Sequence, residues 1–442
     1  MTTIPQIAHT MQVILSDTAH TLGGTSGFVQ RKSKLGGAEL AQTLVFGWLA
    51  NPQASLEELA QVALALEVSI SAQGLEQRLG ATAALCLQQV LTAAVQQVVQ
   101  AQPVDCQVWQ RFSGIYVQDS TTISLPAALA EVWAGCGGGQ TPGDGSAALK
   151  VQVQWELRRG QLSAVQLQSG LTADRAAVGW LADLPAEALG LSDLGYFSLD
   201  RLQAQSQRGS FWLTRVQAGT RLVTDDGQSW AVSDWLATQG AATQIDQWLH
   251  WGATHQLPGR LLAQRVSPAE ASARRRHLHA EARRRGQPVS PERLALADWT
   301  IYITNVPAEQ LSLAEAWVLV RVRWQIELLF KLWKSHGQID EWRSQKPWRI
   351  LCEVYAKLLG QVVQHWIILV SCWACLDRSL VKAAQTVRGH ALHLASAFTD
   401  PAAFERALTI VQQCLSRIGR LNKRRAHPSI AQLLADFDVA PV

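Results

Sequence analysis

The sequence predicts a mixed α/β fold, in which a core of strands and helices is interrupted by a β-rich insertion and flanked by helices. Three observations carry this. The first hundred residues keep a helical period, the period shortens to that of strands from Arg111, and from Leu313 it returns to helical almost without a break. At 442 residues the chain exceeds the roughly 250–300 that one core can fill. The expected divisions are an all-α region at 1–105, the first part of the core at 106–208, the insertion at 209–305, the last part of the core at 306–365 and a helical region at 366–442.

Each element has a local cause. Ser55-Leu-Glu-Glu58 is a capping box: the Ser oxygen accepts from the third helical amide while Glu58 reaches back. The helix it opens reads ELAQVALALE, VSIS at 68–71 breaks the period, and a second helix follows over 72–79. Helix, short turn, helix is the outline of a helix-turn-helix, whose second helix would offer Gln73, Gln77 and Arg78 to a DNA groove; ordinary helical hairpins share that outline. A further helix is expected over 88–100, closed by Pro103.

FSGIYVQDSTTISL then alternates in the strand manner, with Ile115 and Val117 on one face. The Gly-rich stretch at 135–146 lacks the G-K-[ST] ending of a phosphate loop and is expected to be a flexible connection. LKVQVQWEL (149–157) and QLSAVQLQS (161–169) form an antiparallel pair around Arg158-Arg159-Gly160. A helix over 173–184, a strand ending near Ser192 and Asp193, and a helix from Ser198 follow. Within 209–300, SFWLTRVQ, TRLVT, SWAVSDWL, LPGRLLAQRV and ADWTIYITNV read as strands, and the basic stretch 268–285 as a helix.

With 48% hydrophobic and 17% charged residues the composition is that of a globular chain, which excludes a disordered or collagen-like protein. No apolar run reaches the roughly 18–20 residues of a membrane helix; Trp366–Leu376 is the longest and is stopped by Asp377 and Arg378. The opening MTTIPQIAHTMQ has neither the basic nor the apolar region of a signal peptide, so a cytoplasmic, nucleoid-associated protein is expected, with no membrane partner. Cys372 and Cys375 form a CxxC without the second pair a zinc site would need, and are expected to be buried thiols. The net charge is only +4, but 30 of the 39 cations are Arg, clustered at Arg274–Arg276, Arg283–Arg285 and from Arg417 to Arg425. Clustered guanidinium groups suit a phosphate-rich partner.

Three acids stand where rigid elements would hold them. Asp119 is expected at the end of the strand GIYVQ, Asp193 at the end of a later strand, and Glu327 inside a helix with Arg323 at i−4, Lys331 at i+4 and Lys334 at i+7 on one face. Taken alone, that helix face reads rather as an exposed salt-bridge ladder.

Together these residues resemble the DDE transposases with an RNase H-like core, and among them the insertion-sequence-four family with its signature Y-x2-R-x3-E-x6-K. Arg323, Glu327 and Lys334 match the signature within RWQIELLFKLWKS; DWTIYITNVP, IYVQDST and SDLGYFSLDRL are similar to the family's other motif strands. The signature tyrosine is replaced by Val320. The resemblance implies catalytic acids Asp119, Asp193 and Glu327 that ligate two Mg²⁺ ions (Mn²⁺ substituting), DNA contacts by Arg323, Lys331 and Lys334, and a role for Trp299 in stacking on an extruded base. It implies double-stranded DNA as partner, namely terminal inverted repeats and target, and a homodimer in the synaptic complex. Cut-and-paste transposition through hairpin ends is the expected activity. The alternatives are an inactive DNA-binding descendant and an RNase H-like nuclease without strand transfer.

Overall fold

The computed structural model describes residues 1–442 apart from 32, 136–145, 175–182, 423–425, 427 and 440–442. The expected Gly-rich loop, the expected helix over 173–184 and the run Lys423–Arg425 lie wholly or largely outside the described residues.

In chain order the helical region comprises α1 (Ile4–Gln12), a π-helical stretch (Val13–Thr18), α2 (Ala19–Thr25), α3 (Gly37–Ala50), α4 (Leu56–Ala65), α5 (Ala72–Arg78), α6 (Ala81–Val95) and the short α7 (Gln107–Gln110). Strands β1 (Ile115–Leu125), β2 (Ala147–Glu156), β3 (Leu162–Ser169) and β4 (Leu189–Ser192) follow, then α8 (Leu199–Gln207), β5 (Phe211–Thr214), β6 (Arg221–Val223), β7 (Ser229–Ala231) and α9 (Val232–Thr238). Next come β8 (Gln244–Trp251), β9 (Leu257–Arg265), α10 (Pro268–Arg285), α11 (Pro291–Leu296) and β10 (Trp299–Thr304). The chain ends in α12 (Leu313–Val322), α13 (Trp324–Ser335), α14 (Pro347–Cys372), α15 (Leu380–Ala397), α16 (Pro401–Ile418) and α17 (Ile430–Val439). Among the described residues no single helix is long and apolar enough to cross a membrane.

Two compact units are present. The first holds Met1–Cys106, Ser120–Ala173 and Gln325–Ala435. Its centre is α14, buried on all sides, against which α3, α6 and α16 pack; a helix apolar all round has to be an inner one. Strand order in this unit is β3-β2-β1, with β2 and β3 antiparallel. The turn between them is held by Trp155 and His365, whose ring nitrogens both donate to the Gly160 carbonyl at 3.0 and 2.7 Å. Gly160 has φ +75°, and a Cβ there would meet Trp373 at 2.4 Å, so only glycine fits.

The second unit holds Gln107–Asp119, Asp174–Trp324 and Asp436–Val442. Its strand order is β1-β4-β5-β10-β9-β8-β6-β7. Strands β1, β4 and β5 are parallel, and β10, β9 and β8 antiparallel, so a parallel core edge continues into an antiparallel insertion. Antiparallel β2-β3 and parallel β1-β4-β5 belong to the mixed α/β, RNase H-like plan that was expected. Trp212, Trp235, Trp251 and Trp299 fill the core of the insertion.

Several local expectations need correction. SWAVSDWL is half strand and half helix: Val232, Trp235 and Leu236 are buried at i, i+3 and i+4, a helical spacing that overrides the β-rich composition. Strand β8 was not anticipated, because polar Gln247 on the phase of buried Ile245, Leu249 and Trp251, and apolar Trp248 on the open phase, break the alternation. The helix expected over 88–100 starts earlier, at Ala81, and ends at Val95. The basic helix over 268–285 is found as expected.

Candidate active site

Strand β1 does not stop at Asp119 as expected; it continues to Leu125. Ile115, Val117, Thr121, Ile123 and Leu125 are buried, and Asp119 falls on their phase of the alternation. A carboxylate has therefore replaced an apolar residue on the inward face, against the ordinary preference of such a position. The parallel register explains its neighbours. Gln118 pairs with Ser192, and Ser192 pairs with Thr214. One residue further along all three strands stand Asp119, Asp193 and Arg215. The acids thus leave the C-terminal side of adjacent parallel strands, where sites of open α/β sheets form. Arg215, which is exposed, is the residue missed in the sequence; its signal was its place at the end of FWLT, the same offset as Asp193 after LGLS.

The cation over these acids comes from α12. Arg323 caps that helix, and its Nη1 lies 3.7 Å from Asp119 Oδ2, with side chains 12% and 23% exposed. Two clamps set its position. Arg260, 1% exposed, donates to the carbonyls of Val306 and Leu311 at 2.8 and 2.9 Å, fixing the segment that enters α12. Arg111 pairs with Glu315 at 2.9 Å, and Glu315 closes a capping box with Ser312. A buried arginine paired with Asp246 and bonded to two carbonyls is costly to displace, so α12 starts from a fixed point.

Tyr302 shares this face. Thr300 and Tyr302 alternate with Trp299, Ile301 and Ile303, which belong to the insertion core. Tyr302 feels the charges of Arg215, Arg323, Asp193 and Arg274, and burial raises its phenol above the ordinary value. Its ring meets that of Trp317 edge-on at 5.8 Å. Val320, at the signature's tyrosine position, is buried on α12.

Arg323 keeps helical angles (φ −50°, ψ −34°) at the end of α12, and Glu327 follows four positions later in the chain, on α13. Glu327 and Lys334 are half-buried and Lys331 is exposed. Lys334 donates to the Thr122 carbonyl of β1 at 2.8 Å and lies 3.7 Å from Asp340. The end of α13 is pinned from α14: the buried Lys357 donates to the carbonyls of Gln338 and Glu341 at 3.1 and 2.7 Å and pairs with Glu353 at 2.8 Å.

The remaining expected contacts divide. Gln73 and Gln77 are exposed one turn apart on α5, and the Ser55–Glu58 capping box of α4 is formed. Arg78 turns inward: it donates to the Phe28 carbonyl at 2.9 Å and stacks over the Phe28 ring at 4.2 Å. Trp299 is 7% exposed within the insertion core, with the Arg265 guanidinium 4.6 Å from its ring. Strand alternation turns it inward, so it is not an open stacking surface. Trp324, beside Arg323, is 57% exposed. Cys372 is buried and Cys375 partly so, and both are free thiols.

In the second unit two acids therefore stand one residue past the parallel pairing of β1 with β4, with an arginine against the first of them. Residues 110–361, more than half of the chain, match the family model described as "Transposase DDE domain". The chain belongs to that family. Similar proteins include the transposase for insertion sequence element IS231F of Bacillus thuringiensis subsp. israelensis, 27% identical over 80% of this chain and 78% of that protein. The transposase for insertion sequence element IS1151 of Clostridium perfringens is 25% identical over 59% and 58%. A putative transposase InsL of element IS186A from Escherichia coli (strain K12) is 26% identical over 50% and 60%. This DDE transposase is an enzyme that acts on DNA.

Asp119 and Asp193 are hard oxygen donors, the type that a divalent ion such as Mg²⁺ takes. Among the described residues no group of three or more His, Cys, Asp or Glu side chains is placed to hold a metal ion. Sparse carboxylate ligation suits an ion that keeps several waters and accepts a substrate phosphate.

Proposed function

We propose that this transposase cuts its element out of duplex DNA at the terminal inverted repeats and joins the freed 3′-OH to target DNA, passing through hairpin ends. The observation that carries this is the shared register of Asp119 and Asp193, with Arg323 against Asp119. In this reading Asp119 and Asp193 hold Mg²⁺, or Mn²⁺ in its place, and Glu327 is the third carboxylate. Two ions held there would supply an activated nucleophile and stabilisation of the leaving oxygen.

The chain's own residues do the rest. Arg323 and Arg215 fix phosphate oxygens beside the acids, positioning the strand without reading its sequence. Arg323 also balances the charge of Asp119, which eases the approach of one carboxylate to the other. Lys331 adds an exposed cation, and Lys334 steadies β1 just past Asp119. A synaptic complex with two copies of the chain brings both ends together.

The test is cleavage by the purified protein, with Mg²⁺, of DNA carrying the repeats that flank its own gene. Asp119→Ala, Asp193→Ala and Glu327→Ala should each abolish nicking while end binding stays within a few-fold. Nicking at the wild-type rate by any of the three would remove that residue from the set.

A further inference from the structure

Helix α10 is the most basic element of the second unit, and its two faces differ. On the inner side Arg274 donates to the Trp299 carbonyl and the Thr300 hydroxyl, both at 2.9 Å, and pairs with Glu270 at 2.7 Å. Arg275 pairs with Asp298 at 2.6 Å, and Arg285 with Glu281 at 2.8 Å. Glu281 also faces Arg293. Both acids of the helix are thus already neutralised by its own structural arginines.

The outer side carries Arg276, Arg283 and Arg284, all exposed and with no ion pair among the described residues. At 100° per residue Arg276 and Arg283 lie within about 20° of each other and about 10 Å apart along the axis, with Arg284 beside them. Between and around them stand Ala269, Ser272, Ala273, His279 and Ala280, all exposed. Small side chains let a partner come close, and this face offers no large apolar group to another protein. Arginines at a helix C-terminus also complement its dipole; that accounts for Arg283 and Arg284 in part and not for Arg276, mid-helix.

We infer that the outer face of α10 is a second DNA contact, remote in sequence from the acids, where Arg276, Arg283 and Arg284 bind backbone phosphates of duplex DNA without reading sequence. This rests on the reading of the chain as acting on duplex DNA and adds a surface to it. Each phosphate neutralised releases counterion, so log affinity falls against log salt with a slope near −0.9 per contact.

The experiment is fluorescence-anisotropy binding of full-length protein to a 30-bp random duplex and to an end duplex, in EDTA, between 50 and 200 mM KCl. The triple variant Arg276→Ala/Arg283→Ala/Arg284→Ala should flatten the salt slope by about 2.7 and weaken both duplexes by the same factor. The matching triple Lys variant should restore the slope. An unchanged slope in a variant with wild-type circular dichroism and melting would overturn the inference, and so would a loss confined to the end duplex. Because binding is read without metal, these outcomes are independent of whether Asp119 and Asp193 catalyse cleavage.

Discussion

Arg323 reaches back from the end of α12 to stand 3.7 Å from Asp119 in the middle of β1, although 204 positions of sequence separate them. In the proposed reading this guanidinium faces both a carboxylate that would offer oxygen to metal and the place where a phosphate would arrive. These two roles oppose each other in a measurable way. Removing Arg323 removes a phosphate contact, which lowers the cleavage rate, yet it also removes a cation that repels an incoming metal ion. Arg323→Ala should therefore lower nicking at saturating Mg²⁺ by about 10- to 100-fold, the worth of one hydrogen bond to a charged group. The Mg²⁺ concentration for half-maximal rate should stay the same or fall. Arg323→Lys should recover part of the rate. A steep rise in the Mg²⁺ requirement would mean that Arg323 only holds Asp119 in place.

Base stacking during hairpin formation gives a second prediction. Trp299 was the sequence candidate, but it is sealed in the insertion core under Arg265, whereas Trp324 projects into solvent next to Arg323. Trp324→Ala should slow hairpin formation more than the first nick, by the roughly 1–3 kcal/mol of one stacked base. Trp299→Ala should instead act as a core truncation, lowering stability by about 3–5 kcal/mol. A time course of nicked, hairpin and excised DNA, beside thermal melting, separates them; selective slowing of the hairpin step by Trp299→Ala at wild-type stability would reverse the assignment.

What was legible in the sequence follows from where the signal is local. The acids stand out in the sequence because each sits in a short motif of one element, and the basic helix could be read because its N-cap Ser267 with Pro268 and its terminal Gly286 bound it sharply. Arg215, Tyr302 and the Arg260 clamp could not be read, because each depends on register between strands that are distant in sequence. Nor did periodicity reveal that α3 and α6 share a core with α14: contiguity in the chain says nothing about which apolar helices meet. Arg78 shows the same limit, since a basic residue on a second helix looks free until Phe28 is found beneath it.

Protonation should expose a structural weak point in the first unit. His365 is buried between Trp155 and Trp373, and burial lowers its imidazole from the ordinary 6.5 to about 4. The unfolded chain takes up this proton near pH 6.5 while the folded one resists it down to about 4. The stabilisation is therefore full above pH 6.5 and is lost as pH falls from 6.5 toward 4, amounting to about 2 kcal/mol by pH 5. Urea unfolding at pH 7.5 and pH 5 should show a larger loss for the wild type than for His365→Gln, which cannot titrate. Equal losses would mean that His365 accepts its proton in the folded state.

The last prediction concerns end recognition by α5. Gln73 and Gln77 are exposed one helical turn apart, and a Gln side chain can pair bidentately with adenine in a major groove. Arg78 is occupied by the Phe28 and Leu35 carbonyls and the Phe28 ring, so its loss should act on the fold instead. Gln73→Ala with Gln77→Ala should reduce the preference for end DNA over random DNA by about tenfold or more, at about 1–3 kcal/mol per base contact, and leave random binding and melting unchanged. Arg78→Ala should lower the melting temperature and weaken end binding only in proportion to the protein unfolded. Competition gel shifts with both duplexes, run alongside melting curves, distinguish the two. If the glutamine pair leaves discrimination intact, α4 and α5 are an ordinary helical hairpin and the ends are read elsewhere in the molecule.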